Sequence, residues 1–123
     1  MKVNIRKGEK KDLPMVLNLI KDLAKYENAL ENVTLSVSQL EKDGFEERPY
    51  YYFLVAEINQ KIIGLSFYWI RYSTWKGKLL YLEDFVIKKN YRRKGIGSKL
   101  FEATIKISKK HECNGMIWQV LDW

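Results

Sequence analysis

Apolar residues recur every three or four positions at Leu13, Val16, Leu17, Ile20, Leu23 and Ala24, a spacing that collects them on one face of a helix. Asp12 precedes the run as a candidate N-cap and Pro14 falls in the first turn, so the helix is expected to run to about Tyr26. Ser36 followed three residues later by Gln39 forms a capping-box pattern for a second, shorter helix ending near Gly44. Ahead of both helices, residues 3 to 6 alternate enough for a short strand. A loop at 45 to 50 leads to apolar residues 51 to 57, then a turn at Asn59 and Gln60, then a second strand at 61 to 72, which together predict a hairpin. Ser73 to Gly77 connects this hairpin to a strand at 78 to 88. The period then returns to that of a helix from about Gly95 to Lys110, with Ile96, Leu100, Ala103 and Ile107 on one face and charges opposite. A strand at 115 to 121 closes the chain. The order β-α-α-β-β-β-α-β, without internal repeat or low-complexity segment, predicts a single α/β (α+β) domain over residues 1 to 123.

A 123-residue chain that is 46% hydrophobic and 14% aromatic can bury one proper core, which argues against a disordered chain. No window holds the roughly 18 consecutive apolar residues of a membrane helix, and the first dozen residues lack the apolar stretch of a signal peptide. One cysteine, Cys113, permits no internal disulfide, and a cytoplasmic protein is the expectation. Cys113 itself is expected to fill a small core site near the last strand. His111, beside Lys109 and Lys110, reads as part of a solvated helix end, so no metal site is expected.

Charge changes this picture because it is unevenly spread. Residues 1 to 60 carry nine basic and ten acidic side chains, whereas residues 61 to 123 carry thirteen basic and five acidic ones. The basic half contains LYLEDFVIKKNYRRKGIGSKLFEATIKISKK, residues 80 to 110, in which a strand with a carboxylate pair runs into a Gly-rich turn and a helix. Gly95 and Gly97 allow close backbone approach where the helix begins, its first-turn N–H groups lack intrahelical acceptors, and Arg92, Arg93 and Lys94 add positive charge. The pattern points to an anionic ligand; the plain alternative is a solvated basic turn. The spacing R-x-x-G-x-G lacks the third glycine of a dinucleotide fingerprint, and Ser98 and Lys99 stand in the wrong order for a nucleotide P-loop.

The stretch RRKGIG, residues 92 to 97, resembles the pyrophosphate loop of the GCN5-related N-acetyltransferase (GNAT) superfamily. LIKDLAKYE at 19 to 27, EKDGFEERPYYYFLVAE at 41 to 57 and WKGKLLYLEDF at 75 to 85 are similar to blocks of its diamine group, the spermidine/spermine and thialysine acetyltransferases. The resemblance implies an acyl-CoA N-acyltransferase fold, a mixed central sheet flanked by helices and splayed near residues 83 to 86, with acetyl-CoA as co-substrate. It implies that Phe85, Val86 and Ile87 present backbone to the acetyl-pantetheine portion. Arg92, Arg93, Lys94, Gly95, Ile96, Gly97 and Ser98 correspond to the pyrophosphate cradle. Glu83 corresponds to the glutamate that takes the amine proton, Tyr26 and Glu27 to residues that contact the polyamine, and Trp118, Gln119 and Val120 to the last acceptor-contacting strand. Relatives continue beyond the position of Trp123 with a helix bearing a tyrosine general acid, so the fold is expected to be incomplete at its C-terminus.

Glu83 and Asp84 are adjacent in a strand and on simple alternation should point to opposite faces. An alkyl amine must lose a proton before it attacks, and a carboxylate near it can attract the cation and accept that proton. The leading reading is an enzyme that acetylates a primary amine of a polyamine, diamine or lysine-like small molecule, as a homodimer and without membrane association. The alternatives are a non-catalytic CoA-binding or interaction domain, and a basic module for nucleic acid or another anionic partner.

Overall fold

Residues 2–119 are described by a computed structural model. Five strands form one sheet in chain order: β1 (Asn4–Lys7), β2 (Tyr52–Ile58), β3 (Lys61–Ser73), β4 (Gly77–Ile87) and β5 (Met116–Trp118). The first four pair antiparallel, while β4 and β5 pair parallel, so the sheet is mixed, as expected. The parallel pair needs a crossover, supplied by α3 (Ile96–Lys110). Helices α1 (Leu13–Tyr26) and α2 (Val37–Gly44) cover one face. Helix α3 packs on the other.

Two cores result, one on each side of the sheet. Leu13, Val16, Leu17 and Leu19 of α1 meet Leu40 of α2 and Phe53, Val55, Leu65, Phe67 and Val86 of the sheet. Behind it, Ile96 and Leu100 of α3 meet Leu54, Ile63, Tyr68, Leu80, Leu82 and Ile87. The buried line of α3 runs Ile96, Leu100, Thr104, Ser108, with Ala103 and Ile107 only partly buried, so two polar residues stand where an apolar face was expected. The turn between β2 and β3 uses left-handed conformations at Asn59 (φ 51°) and Gln60 (φ 65°), which suits the twist of a two-residue hairpin.

Two capping expectations need correction. Asp12 lies at the N-cap of α1 but does not cap it; its buried carboxylate accepts Glu9 N–H at 2.8 Å and a paired contact from Arg6 at 2.8 and 2.9 Å. Burial is tolerable because the Arg6 guanidinium holds Asp12 below the usual carboxylate range. Ser36 does accept the Gln39 N–H at 3.1 Å, yet the Gln39 side chain turns away to Asp43, so the box is half-formed.

The feature that shapes the site is a bulge in β4. Tyr68 opposes Leu82, the next pair is Phe67 with Asp84, and Glu83 has no opposite residue. Before the bulge Leu80 and Leu82 face α3; after it Phe85 and Ile87 do, while Val86 faces α1. The alternation therefore slips by one residue at Glu83.

Candidate active site

Among the described residues β4 pairs with β5 from Leu80 and Met116 to Leu82 and Trp118, and β4 continues to Ile87. A cavity of about 260 Å³ lies next to the last of these described pairs. Leu23 of α1 and its C-cap residue Glu27, Leu82 to Phe85 of β4, Phe101 of α3, and Trp118 and Gln119 line it. The bulge brings Glu83 and Asp84 into this one cavity, which corrects the expectation that they would point to opposite faces. Its aromatic wall is ordered by edge-on contacts of Phe101 with Phe85 (5.9 Å) and with Trp118 (5.7 Å).

Three carboxylates, Glu27, Glu83 and Asp84, thus converge, and none forms an ion pair with another described residue. Burial pushes the Asp84 carboxyl up to about 6, and the charges of Glu83 and Glu27 add to the rise. Glu83 accepts a hydrogen bond from the indole Nε1 of Trp69 at 3.0 Å. Such a cavity attracts a cation and offers it proton acceptors in two different environments.

A second cavity of about 270 Å³ follows along β4, lined by Asp22, Tyr26, Val86, Ile87, Lys88, Lys89 and Arg92. Of the predicted phosphate turn only Arg92 lines this cavity; Arg93, Lys94, Gly95, Ile96, Gly97 and Ser98 follow it in the chain and do not. Arg92 Nε donates to the Ile87 carbonyl at 2.8 Å, tying the turn to the strand end. Arg93 (φ 62°) and Gly95 (φ 77°) are left-handed, and Gly95 is the N-cap of α3 without a side-chain cap. Lys94 Nζ sits 5.9 Å from the Tyr91 ring centroid. The first-turn N–H groups of α3, from Ile96 to Ser98, face away from any intrahelical acceptor. Concave backbone of this kind beside clustered cations binds phosphate.

Gly97 tests whether the turn fits such a ligand. Its φ is not left-handed, and an added Cβ would meet only Ile87 Cγ1, at 3.9 Å. Neither the backbone conformation nor the described packing requires glycine at 97.

The structure therefore brings Glu27, Glu83, Asp84, Phe85, Trp118 and Gln119 to one cavity, and Val86, Ile87 and Arg92 to the next. Tyr26 lines the second cavity, away from the carboxylates. Val120 lies outside the described residues. Leu23, Phe101 and Trp69 were missed: Leu23 read as a helix-face apolar residue, Phe101 falls outside the apolar line read for α3, and the cross-strand position of Trp69 depends on a register that periodicity does not give. Among the described residues no group of three or more His, Cys, Asp and Glu could hold a metal ion, and no helix is long and apolar enough to cross a membrane.

Comparison with known proteins identifies the family and the fold. The family described as Acetyltransferase (GNAT) family matches residues 16–123. The thialysine N-epsilon-acetyltransferase of Bos taurus is 39% identical over 129 residues, covering 98% of this chain and 76% of that protein. Human spermidine/spermine N(1)-acetyltransferase-like protein 1 is 37% identical over 126 residues, covering 97% of this chain and 18% of that protein. Among solved structures, an aminoglycoside acetyltransferase from an uncultured soil metagenomic sample superposes with a TM-score of 0.81 at 22% identity, over 98% of this chain and 78% of that one. A possible acetyltransferase of Clostridium difficile 630 gives 0.76 at 26% identity, over 99% and 82%.

Proposed function

Since the chain belongs to the GNAT acetyltransferase family, whose co-substrate is acetyl-CoA, we propose that it acetylates a primary amine of a polyamine, diamine or lysine-like small molecule. One observation carries the reading: two cavities of opposite net charge follow one another along β4, an anionic one at Glu27, Glu83 and Asp84 and a cationic one where Lys88, Lys89 and Arg92 outnumber Asp22. An ammonium acceptor and a polyphosphorylated donor would each find its own end, with the reacting atoms between them.

Acetyl-CoA supplies the activated acetyl group. In this reading the turn from Arg92 to Ser98 holds its pyrophosphate, and the backbone of Phe85, Val86 and Ile87 receives the pantetheine arm and the carbonyl oxygen. Glu83 draws the acceptor cation in and takes the ammonium proton, leaving the nitrogen lone pair free to attack. Glu27 and Asp84 add to the negative field, and Trp118 and Gln119 complete the acceptor contacts in this reading, whereas Tyr26 lies on the cofactor side. The name of the bovine relative favours a thialysine-like acceptor, that of the human relative a polyamine. A homodimer, expected from the resemblance alone, belongs to the same proposal and is tested by sedimentation.

The deciding experiment titrates acetyl-CoA calorimetrically, then follows free-thiol release with spermidine and with thialysine. Binding with acceptor-dependent release supports the proposal. Binding without release identifies a non-catalytic cofactor domain, and no binding overturns the reading.

A further inference from the structure

The bulge that brings Glu83 into the cavity also deprives it of a cross-strand neighbour, and its side chain is exposed. A proton acceptor on a free rotor is a poor base, because reaction demands one orientation within a fraction of an ångström. Its orientation comes from β3. Trp69 opposes Tyr81 in register, and the two rings stack with centroids 5.0 Å apart and an interplanar angle of 29°. That stack fixes the direction of the indole N–H, which meets Glu83 Oε1 at 3.0 Å. Indole is a donor only, so Trp69 can hold the carboxylate but cannot take a proton from it. The contact commits Oε1 and leaves Oε2 without a hydrogen bond to any described residue.

We propose that Trp69 is a positioning residue that orients the Glu83 carboxylate toward the acceptor amine through its indole N–H, with Tyr81 as the backing that fixes the ring. The proposal deepens the amine-acetylating reading and rests on it for the role of Glu83. Trp69 does not line the cavity, so it acts through Glu83 and not on the substrate.

The test replaces the donor while keeping a ring. Trp69→Phe should lower kcat about tenfold, the scale of one hydrogen bond to a charged group, with KM for acetyl-CoA unchanged. In a Glu83→Ala background the same substitution should change kcat less than about twofold, since the contact is already gone. A second readout needs no turnover. In nitrogen-15 NMR spectra, the indole signal that disappears in Trp69→Phe should shift in Glu83→Ala and exchange with solvent at least about threefold faster. Equal losses in both backgrounds, or an indole signal indifferent to Glu83→Ala, overturn the positioning role. Absent thiol release from the wild type overturns the acetyltransferase reading instead, and the indole signal still decides whether Trp69 holds Glu83.

Discussion

Ser66 Oγ and Thr104 Oγ1 lie 2.8 Å apart in the dry interior and bolt α3 to the middle of the sheet. Thr104 Oγ1 also donates to the Leu100 carbonyl at 2.9 Å, and a hydroxyl has one proton, so Ser66 must be the donor in the shared bond. The chain has a direction, and the two ends should not be equivalent. Ser66→Ala removes a donor and leaves Thr104 satisfied, costing about 0.5–1.5 kcal/mol; Thr104→Val strands the Ser66 proton and should cost about 1–3 kcal/mol. Urea unfolding of both variants measures the asymmetry. Equal costs would mean that Ser66 finds another acceptor. The bond has a functional side, since α3 carries Gly95 and Gly97 at its start.

Asp84 should make stability fall as pH rises. Its carboxyl is lifted from an ordinary 3.8 to about 6 in the folded chain, mainly by burial, so folding favours the protonated form. The stabilisation is fully present below about pH 4 and is lost as pH passes through about 6. Asp84→Asn should therefore raise stability near pH 8 by up to about 3 kcal/mol, with no gain near pH 4. Thermal unfolding at both values checks it; an equal gain at both would show that the amide repacks the cavity and that ionisation is not the cause. The same variant should bind a cationic acceptor less tightly.

Much of this architecture is legible because hydrophobic periods are long and uninterrupted: each predicted element exists within a residue or two, apart from β5, described only over Met116–Trp118. What periodicity cannot carry is a slip. The bulge at Glu83 costs one residue of register, and with it the strict alternation that would have put Glu83 and Asp84 on opposite faces. Thr104 and Ser108 escaped for a related reason: each is polar by type but satisfied by a partner or position that only the packed structure supplies. Asp12 misled in the same way, its capping role yielding to the nearby Arg6. The candidate site was readable as residue types because carboxylates in an apolar strand, and glycines among cations, are costly without a role. Their arrangement as two adjoining cavities was not.

Cys113 and Glu83 should separate cleanly in kinetics. Cys113 packs against the α3-side core and does not line the carboxylate cavity, so the proposed transfer from donor to amine needs no acyl-cysteine. Cys113→Ala should keep turnover within about twofold, whereas Glu83→Gln should lose about 10²–10⁴-fold while still binding acetyl-CoA. A Cys113→Ala protein that folds but does not turn over would sink direct transfer.

The two glycines of the turn make opposite predictions, because they are glycine for different reasons. At Gly95 the backbone is left-handed (φ 77°), yet an added Cβ would meet nothing within 4 Å. Conformation alone demands glycine there, and Gly95→Ala should cost about 1–2 kcal/mol of stability. At Gly97 the conformation is ordinary and a methyl group would touch only Ile87 Cγ1 at 3.9 Å. Inside a helix alanine is favoured over glycine, so Gly97→Ala should leave stability unchanged or raise it by up to about 1 kcal/mol. If the first turn of α3 cradles a pyrophosphate, that same methyl group stands where the phosphate oxygens approach the backbone. Acetyl-CoA affinity should then fall at least about tenfold in a protein that is no less stable. Thermal unfolding and calorimetric titration on one preparation give both numbers. A Gly97→Ala protein that binds acetyl-CoA like the wild type would remove the cradle from the mechanism, since no other property of the chain asks for glycine at that position.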